Sequence, residues 1–200
     1  MAETCRLLSG IKTTSLQTLT SAVEKLHRDF RVPHVVITSI RDSESPTQIS
    51  VVGSTARSDF SSRIFKVSVP NIDCFFSGTG DMFAALTVVR LREAATENGL
   101  LETRSWMSPD DVLAVQLPLA QAIEKVLGSM HTILEKTKHA RDTELEKLGG
   151  PIGVMERERD SEKRKRLRMA KAAEVRVVRC VEDLKEPDAR WKATSLPDAA

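Results

Sequence analysis

The stretch FFSGTGDMFAAL, Phe75 to Leu86, decides how the rest of the chain is read. Two glycines and an acid stand between an apolar run and the opening of an apolar helical segment. Helix N-termini carry unpaired N–H groups and a partial positive charge, and both attract phosphate. Glycines at 78 and 80 remove the side chains that would hold a phosphate off the backbone. They also permit dihedrals that aim successive N–H groups at one point. Asp81 falls in the first helical turn, beside that anion hole. An acid there repels phosphate, but it makes sense if it takes a proton from a hydroxyl attacking phosphorus. The four residues alone also fit a tight turn in which Asp81 merely complements the helix dipole. The pattern is not a Walker A loop, since GxxxxGK[ST] is absent. Nor is it a dinucleotide fingerprint, since Phe83 stands where the third glycine belongs.

Upstream, Thr14 to Gln17 reads as a capping box with Thr14 as the cap and Gln17 reaching back. Leu16, Leu19, Val23, Leu26 and Phe30 recur at helical spacing, so residues 15–30 form an amphipathic helix ended by Pro33. HVVITS, 34–39, is a β-branched run without alternation, as in a parallel strand buried on both faces. QISVVG (48–53) and RIFKVSV (63–69) read as an antiparallel hairpin. Phe65, Val67 and Val69 lie on one face of the second strand, and Pro70 closes it.

Downstream, the motif opens a helix from about Thr79 to Asn98, with Phe83, Leu86, Val89 or Arg90, and Ala94 along it and Gly99 as its stop. Ser108-Pro109-Asp110-Asp111 is a second helix start, and Pro118 is expected to kink or break that helix. Leu119, Ile123, Val126, Met130 and Ile133 carry an apolar stripe on to about residue 147. GGPIG, 149–153, is a linker. From Glu156 to Arg168 the chain carries seven basic and four acidic residues, a solvated helix laced with intrahelical pairs. EVRVVRCV, 174–181, fits strand or helix equally, and the tail SLPDAA is expected to fray.

Composition narrows the class of protein. Two hundred residues with 40% hydrophobic and 29% charged side chains suit a soluble globular domain, and a net charge of +2 gives no global pull toward nucleic acid or membrane. No apolar run approaches the roughly 20 residues needed to span a bilayer. Cys5, Cys74 and Cys180 form no CxxC pair, and the histidines have no metal-ligand spacing, which fits a reducing cytoplasm. The basic cluster KRKRLR, 163–168, sits directly behind acids and lacks aromatics for base stacking, so nucleic-acid binding is not expected.

SGTGDMFAAL with the preceding PNIDCFF resembles the signature of ribokinase-like small-molecule kinases, and the wider match is closer to pyridoxal kinase. LLSGIK at 7–12, the HVVITS strand, SMHTILEKT at 129–137 and EDLKEPDARWKA at 182–193 resemble that family in order, most like a fungal member. The resemblance implies a three-layer αβα fold with a mostly parallel central sheet, here lacking its N-terminal strands. Residues 1–200 would be the C-terminal portion of one such domain, with 149–173 a charged linker and helix inside it. It further implies ATP-dependent phosphorylation of the 5′-hydroxymethyl group of pyridoxal, pyridoxine or pyridoxamine.

Asp81 would then be the base, with Gly78, Thr79 and Gly80 cradling the transferring phosphoryl group. Thr38 and Ser39 match polar ATP contacts, and Ile72, Asp73 and Cys74 match the segment lining the nucleotide site. By themselves Thr38 and Ser39 read as strand-end caps and Cys74 as a small buried hydrophobe. Magnesium is implied with the ATP. Its carboxylate is not assigned, because the residues flanking Glu3 do not match. A homodimer is implied, on a surface the sequence does not specify. Family members carry a long N-terminal half, including a Thr-Pro-Asn-Gln-x-Glu segment and most of the vitamin pocket. The departure reads as a shortened gene model, ahead of an isoform completed by a partner or an inactive remnant. It implies little kinase activity for the chain alone and an open strand edge beside HVVITS. That edge keeps a second reading in view, a non-catalytic interaction fragment.

Overall fold

Alternation in RIFKVSV builds the inner strand of the sheet. The computed structural model describes residues 2–41, 45–147 and 174–196. Strand β3 (Ile64–Pro70) buries Phe65, Val67 and Val69 and leaves Lys66 and Ser68 half-buried on the other side. Strand β2 (Gln48–Thr55) pairs with it antiparallel, from Gln48 opposite Pro70 to Ser54 opposite Ile64. This is the expected hairpin. Strand β1 (His34–Ile40) lies antiparallel on the other side of β2, with a register shift between Ile37 and Ile40. Near the other end of the chain, β4 (Thr194–Ser195) pairs antiparallel with β3, giving the order β1-β2-β3-β4.

The mostly parallel sheet is therefore corrected for the described residues: its strand pairs are antiparallel, and the one parallel contact is an isolated bridge from Ser77 to Glu174. The connection from β1 to β2, residues 41–47, is shorter than the dozen or so residues a parallel crossover needs. The apolar run of β1 reports covered faces and says nothing about the direction of its neighbour. Val36 packs toward one helical layer, while Val35 and Ile37 pack toward the other.

The sheet lies between two helical layers. On one face Val52 and Ile64 meet Ala22, Val23 and Leu26 of α2 (Leu16–Phe30) and Cys5 of α1 (Ala2–Ser9). On the other, Val51, Phe65, Val67 and Val69 meet Leu119, Ile123 and Leu127 of α4 (Pro118–Lys147) and Leu91 of α3 (Thr79–Glu97). The cap of α2 is one residue later than expected. The Ser15 side chain accepts from the Thr18 N–H at 3.2 Å, and Thr18 Oγ1 accepts from the Ser15 N–H at 2.9 Å. Thr18 fills the third helical position, so the reciprocal pair is Ser15–Thr18, not Thr14–Gln17.

On α3, Arg90 is buried and Val89 exposed, which decides between the two. The Arg90 guanidinium donates to Glu93 Oε2 at 2.6 Å and to the carbonyl oxygens of Leu184 and Lys185, tying α3 to α5 (Val181–Lys185).

Ser108 to Asp111 does not start a helix. Arg63, almost fully buried, donates to the carbonyl oxygens of Ser108, Pro109 and Val112 at 3.3, 2.6 and 3.3 Å. Asp110 accepts from the Ser58 N–H at 2.9 Å and from the Ser58 hydroxyl. Tertiary partners thus take the carbonyls and the acid that a first turn would use. The helix begins at Pro118, which neither kinks nor breaks it, because at the first position the missing N–H costs nothing. Its stripe is as expected, with Leu119, Ile123, Val126 and Ile133 fully buried.

Residues 174–181 are neither strand nor simple helix. Glu174 forms the bridge to Ser77, Val177–Cys180 is a 3-10 turn, and α5 follows. The start of SLPDAA does not fray, since Ser195 lies in β4 and the Leu196 N–H donates to Ile64 at 3.2 Å. The GGPIG linker, the charged run and KRKRLR lie outside the described residues.

Candidate active site

Gly78 shapes the start of α3. At φ 85° and ψ 4° it is left-handed, a conformation a side chain would strain, and its carbonyl accepts the first helical bond from Met82 at 3.2 Å. No side chain caps this end. The first-turn N–H groups of Thr79, Gly80 and Asp81 therefore form the positive end of a nineteen-residue helix. A Cβ built on Gly78 or Gly80 would meet no atom within 4 Å. Neither glycine is required by packing, and the space in front of both is open to a ligand.

That end opens on a cavity of about 290 Å³. Thr38 and Ser39 reach it from the end of β1, where the bulge puts Ser39 at φ 62°. Ile72 and Cys74 line it from the loop after β3, and Thr79 and Gly80 from the first turn of α3. Six residues singled out from the sequence, on three separate segments, thus face one space. Asp73, Gly78 and Asp81 do not line it. Asp81 is exposed, one residue beyond Gly80 in the first turn of α3.

Sequence reading missed the opposite wall. Phe83 of α3 and Leu127, Met130, His131 and Leu134 of α4 close the cavity against Ile49, Val51 and Val69 of the sheet. Of the α4 residues only Met130 belongs to the apolar stripe read from the sequence, and nothing in that stripe separates a residue facing a cavity from one facing a core. Arg141, further along α4, donates to Cys74 Sγ at 2.8 Å and so positions the loop after β3. One turn earlier, a hydrogen bond to Asp142 raises the Lys138 ammonium above its ordinary range and lowers the carboxyl of Asp142.

The arrangement suits a nucleotide: an apolar slot with a few convergent polar groups, next to an uncapped helix end. Among the described residues no three His, Cys, Asp or Glu side chains gather to hold a metal ion. A protein-built metal cage does not fit these residues. A magnesium ion held chiefly by phosphate oxygens would need no such cluster.

Beside this apolar cavity the glycine-opened helix α3 belongs to a three-layer α/β fold. Solved structures share it. The chain superposes on pyridoxal kinase from Leishmania donovani in complex with ADP with a TM-score of 0.64 and 20% identity, over 96% of this chain and 49% of that one. It superposes on Plasmodium falciparum PdxK with AMP-PNP and PL with a TM-score of 0.58 and 15% identity, over 96% of this chain and 47% of that one.

The sequence relatives carry the same name. Two proteins of Schizosaccharomyces pombe named as pyridoxal kinases are each 30% identical to this chain, over 122 and 132 residues, covering 60% and 66% of it. Pyridoxal kinase of Dictyostelium discoideum is 35% identical over 83 residues. No model of a known protein family matches the chain. The α/β fold is the one these pyridoxal kinase structures share, and the sequence relatives carry the same name. The chain spans about a third of the length of the curated relatives, 34% and 38%, and about half, 49%, of the Leishmania chain.

Proposed function

We propose that this chain carries the nucleotide site and the base of a pyridoxal kinase, transferring the γ-phosphoryl group of ATP to the 5′-hydroxymethyl group of pyridoxal, pyridoxine or pyridoxamine. The observation that carries this reading is the convergence of Thr38, Ser39, Ile72, Cys74, Thr79 and Gly80 on one cavity at the uncapped start of α3. Relatives with this name and neighbours solved with ADP and AMP-PNP support it.

In this reading the base and ribose lie in the apolar slot, and the phosphates reach the N–H groups of Thr79 and Gly80. Charge building on the transferring group meets the positive end of α3, which is already in place and need not reorganise. Asp81 takes the proton of the attacking hydroxyl and aligns its oxygen with phosphorus. Magnesium, carried on the ATP phosphates, supplies counter-charge. Asp73, exposed on the loop after β3, contributes at the rim of the nucleotide site. Gly78, through its left-handed backbone, aims the first N–H groups.

The test uses residues 1–200, measuring ADP binding and ATP-dependent formation of pyridoxal 5′-phosphate for the wild type and Asp81→Asn. ADP binding retained by both, with any product formation lost in Asp81→Asn, supports the reading. Absence of ADP binding in a folded wild-type sample overturns it.

A second reading, an interaction fragment, also rests on one observation. β1 has no partner on its outer side among the described residues. Beside that edge lies an apolar groove of about 350 Å³ between α1, α2 and β1, rimmed by the exposed side chains of Leu8 and Phe30. A chain that sediments as a monomer and captures no second copy of itself would count against this reading.

A further inference from the structure

His131 is the one cavity residue whose chemistry is unaccounted for. It is 7% exposed, and among the described residues neither ring nitrogen has a hydrogen-bond partner. The carboxylate oxygen Glu135 Oε2 lies 3.4 Å from Nδ1 without hydrogen-bond geometry. The other buried histidine, His27, satisfies both nitrogens, on Val32 O at 2.7 Å and Ser54 Oγ at 2.9 Å. A buried imidazole normally does so, because an unpaired buried polar group is costly. His131 also belongs to the wall of the cavity that Thr79 and Gly80 open, between Leu127 and Leu134. Its ring packs on Trp191 with centroids 4.5 Å apart and planes inclined at 56°.

We infer that His131 is a nucleotide-binding residue that hydrogen-bonds the nucleoside part of the bound nucleotide and so helps select it. The inference rests on the reading of this cavity as the nucleotide site. Around His131 the lining is apolar, so an imidazole nitrogen is the polar group available on that wall to fix the orientation of a flat heteroaromatic base or its sugar. A half-turn about Cβ–Cγ exchanges the nitrogen and carbon positions within the same ring outline, so the contact needs no repacking. The phosphates are held elsewhere, at the start of α3, and the two parts of the ligand can therefore be tested separately.

The experiment uses the full chain carrying Trp106→Phe, which leaves Trp191 as the sole indole and a reporter in contact with His131. ADP and inorganic pyrophosphate are titrated against this protein and against versions with His131→Phe and His131→Gln added. The expected result is an ADP affinity about tenfold lower in His131→Phe, in line with one lost hydrogen bond. His131→Gln should recover part of that loss, and pyrophosphate affinity should be unchanged in both.

Equal loss for ADP and pyrophosphate would make His131 structural and overturn the inference, as would unchanged ADP affinity in both variants. If His131→Phe does not fold, His131→Gln decides: a weakened ADP affinity with unchanged pyrophosphate affinity supports the inference, and an unchanged ADP affinity overturns it. Failure of the unsubstituted protein to bind ADP would instead overturn the nucleotide site itself.

Discussion

The ring of Phe65 lies across Gly53 on the neighbouring strand, so that a Cβ at position 53 would fall 2.2 Å from Phe65 Cζ. Phe65 is fully buried and anchors the face of the sheet that meets α4. It cannot move aside without dismantling that layer. Gly53→Ala is therefore expected to destabilise the fold by about 1–3 kcal/mol, the usual cost of overpacking. Urea unfolding with an unchanged m-value would measure it.

Arg63 holds together two parts of the chain that share no secondary structure. Besides Ser108, Pro109 and Val112, it donates to the carbonyl oxygens of Ala56 at 3.1 Å and Thr55 at 3.4 Å. Arg63→Met would leave several buried carbonyls unpaired, at a cost of about 3 kcal/mol. Arg63→Lys should recover less than half of that, since an ammonium cannot reproduce the planar fork. Recovery of wild-type stability by lysine would show that charge alone is what the site needs.

Two histidines, the buried His27 and the half-buried His34, make stability depend on pH. Burial lowers the pKa of both His27 and His34 from 6.5. Each must donate to a carbonyl and accept from a hydroxyl, so the neutral ring fits. His27 Nδ1–H meets Val32 O, and His34 Nε2–H meets Ser105 O at 2.8 Å. The unfolded chain takes up protons first. The contribution is complete above the unfolded pKa and is lost as pH falls through the lowered folded values. Tm is expected to drop between about pH 7 and pH 5. In His27→Gln the same scan should be flatter, and an equally steep one would exclude His27 as a source.

Gly80→Ala separates binding from folding. A Cβ there meets nothing in the protein, and alanine favours the helix over glycine by about 0.5–1 kcal/mol, so stability should hold or rise slightly. The same methyl group would occupy the space assigned to phosphate. ADP affinity should fall at least about tenfold, since a displaced phosphate forfeits charge-assisted bonds. Unchanged affinity would move the phosphates elsewhere.

Legibility followed the range of the interactions. The β2–β3 hairpin was readable because Phe65, Val67 and Val69 alternate with Lys66 and Ser68. The helices α2, α3 and α4 were readable because their apolar residues repeat at helical spacing. Each signal lies within a few residues of itself. The helix start at Ser108 was misread because Arg63, distant in the chain, takes the carbonyls that a first turn would use. The sheet direction was misread because an apolar run records covered faces only. Of the candidate site, the Gly78–Asp81 turn was legible from its own residue types. The α4 wall was not, because Met130 carries the same pattern whether it faces a core or a cavity, and Leu127 and His131 fall outside the stripe.

By itself the sequence determined most of the local elements and the glycine-opened start of α3. Backbone permissiveness, helix-end charge and apolar periodicity are properties of short segments. Only the tertiary structure decided that β1 and β4 join the β2–β3 hairpin antiparallel, in the order β1-β2-β3-β4. Only it placed Thr38, Ile72, Cys74, Gly80 and His131 around one space, and left Asp81 out of its lining. Those relationships depend on which distant surfaces bury each other, and that is settled by the packing of the whole chain rather than by any stretch of it.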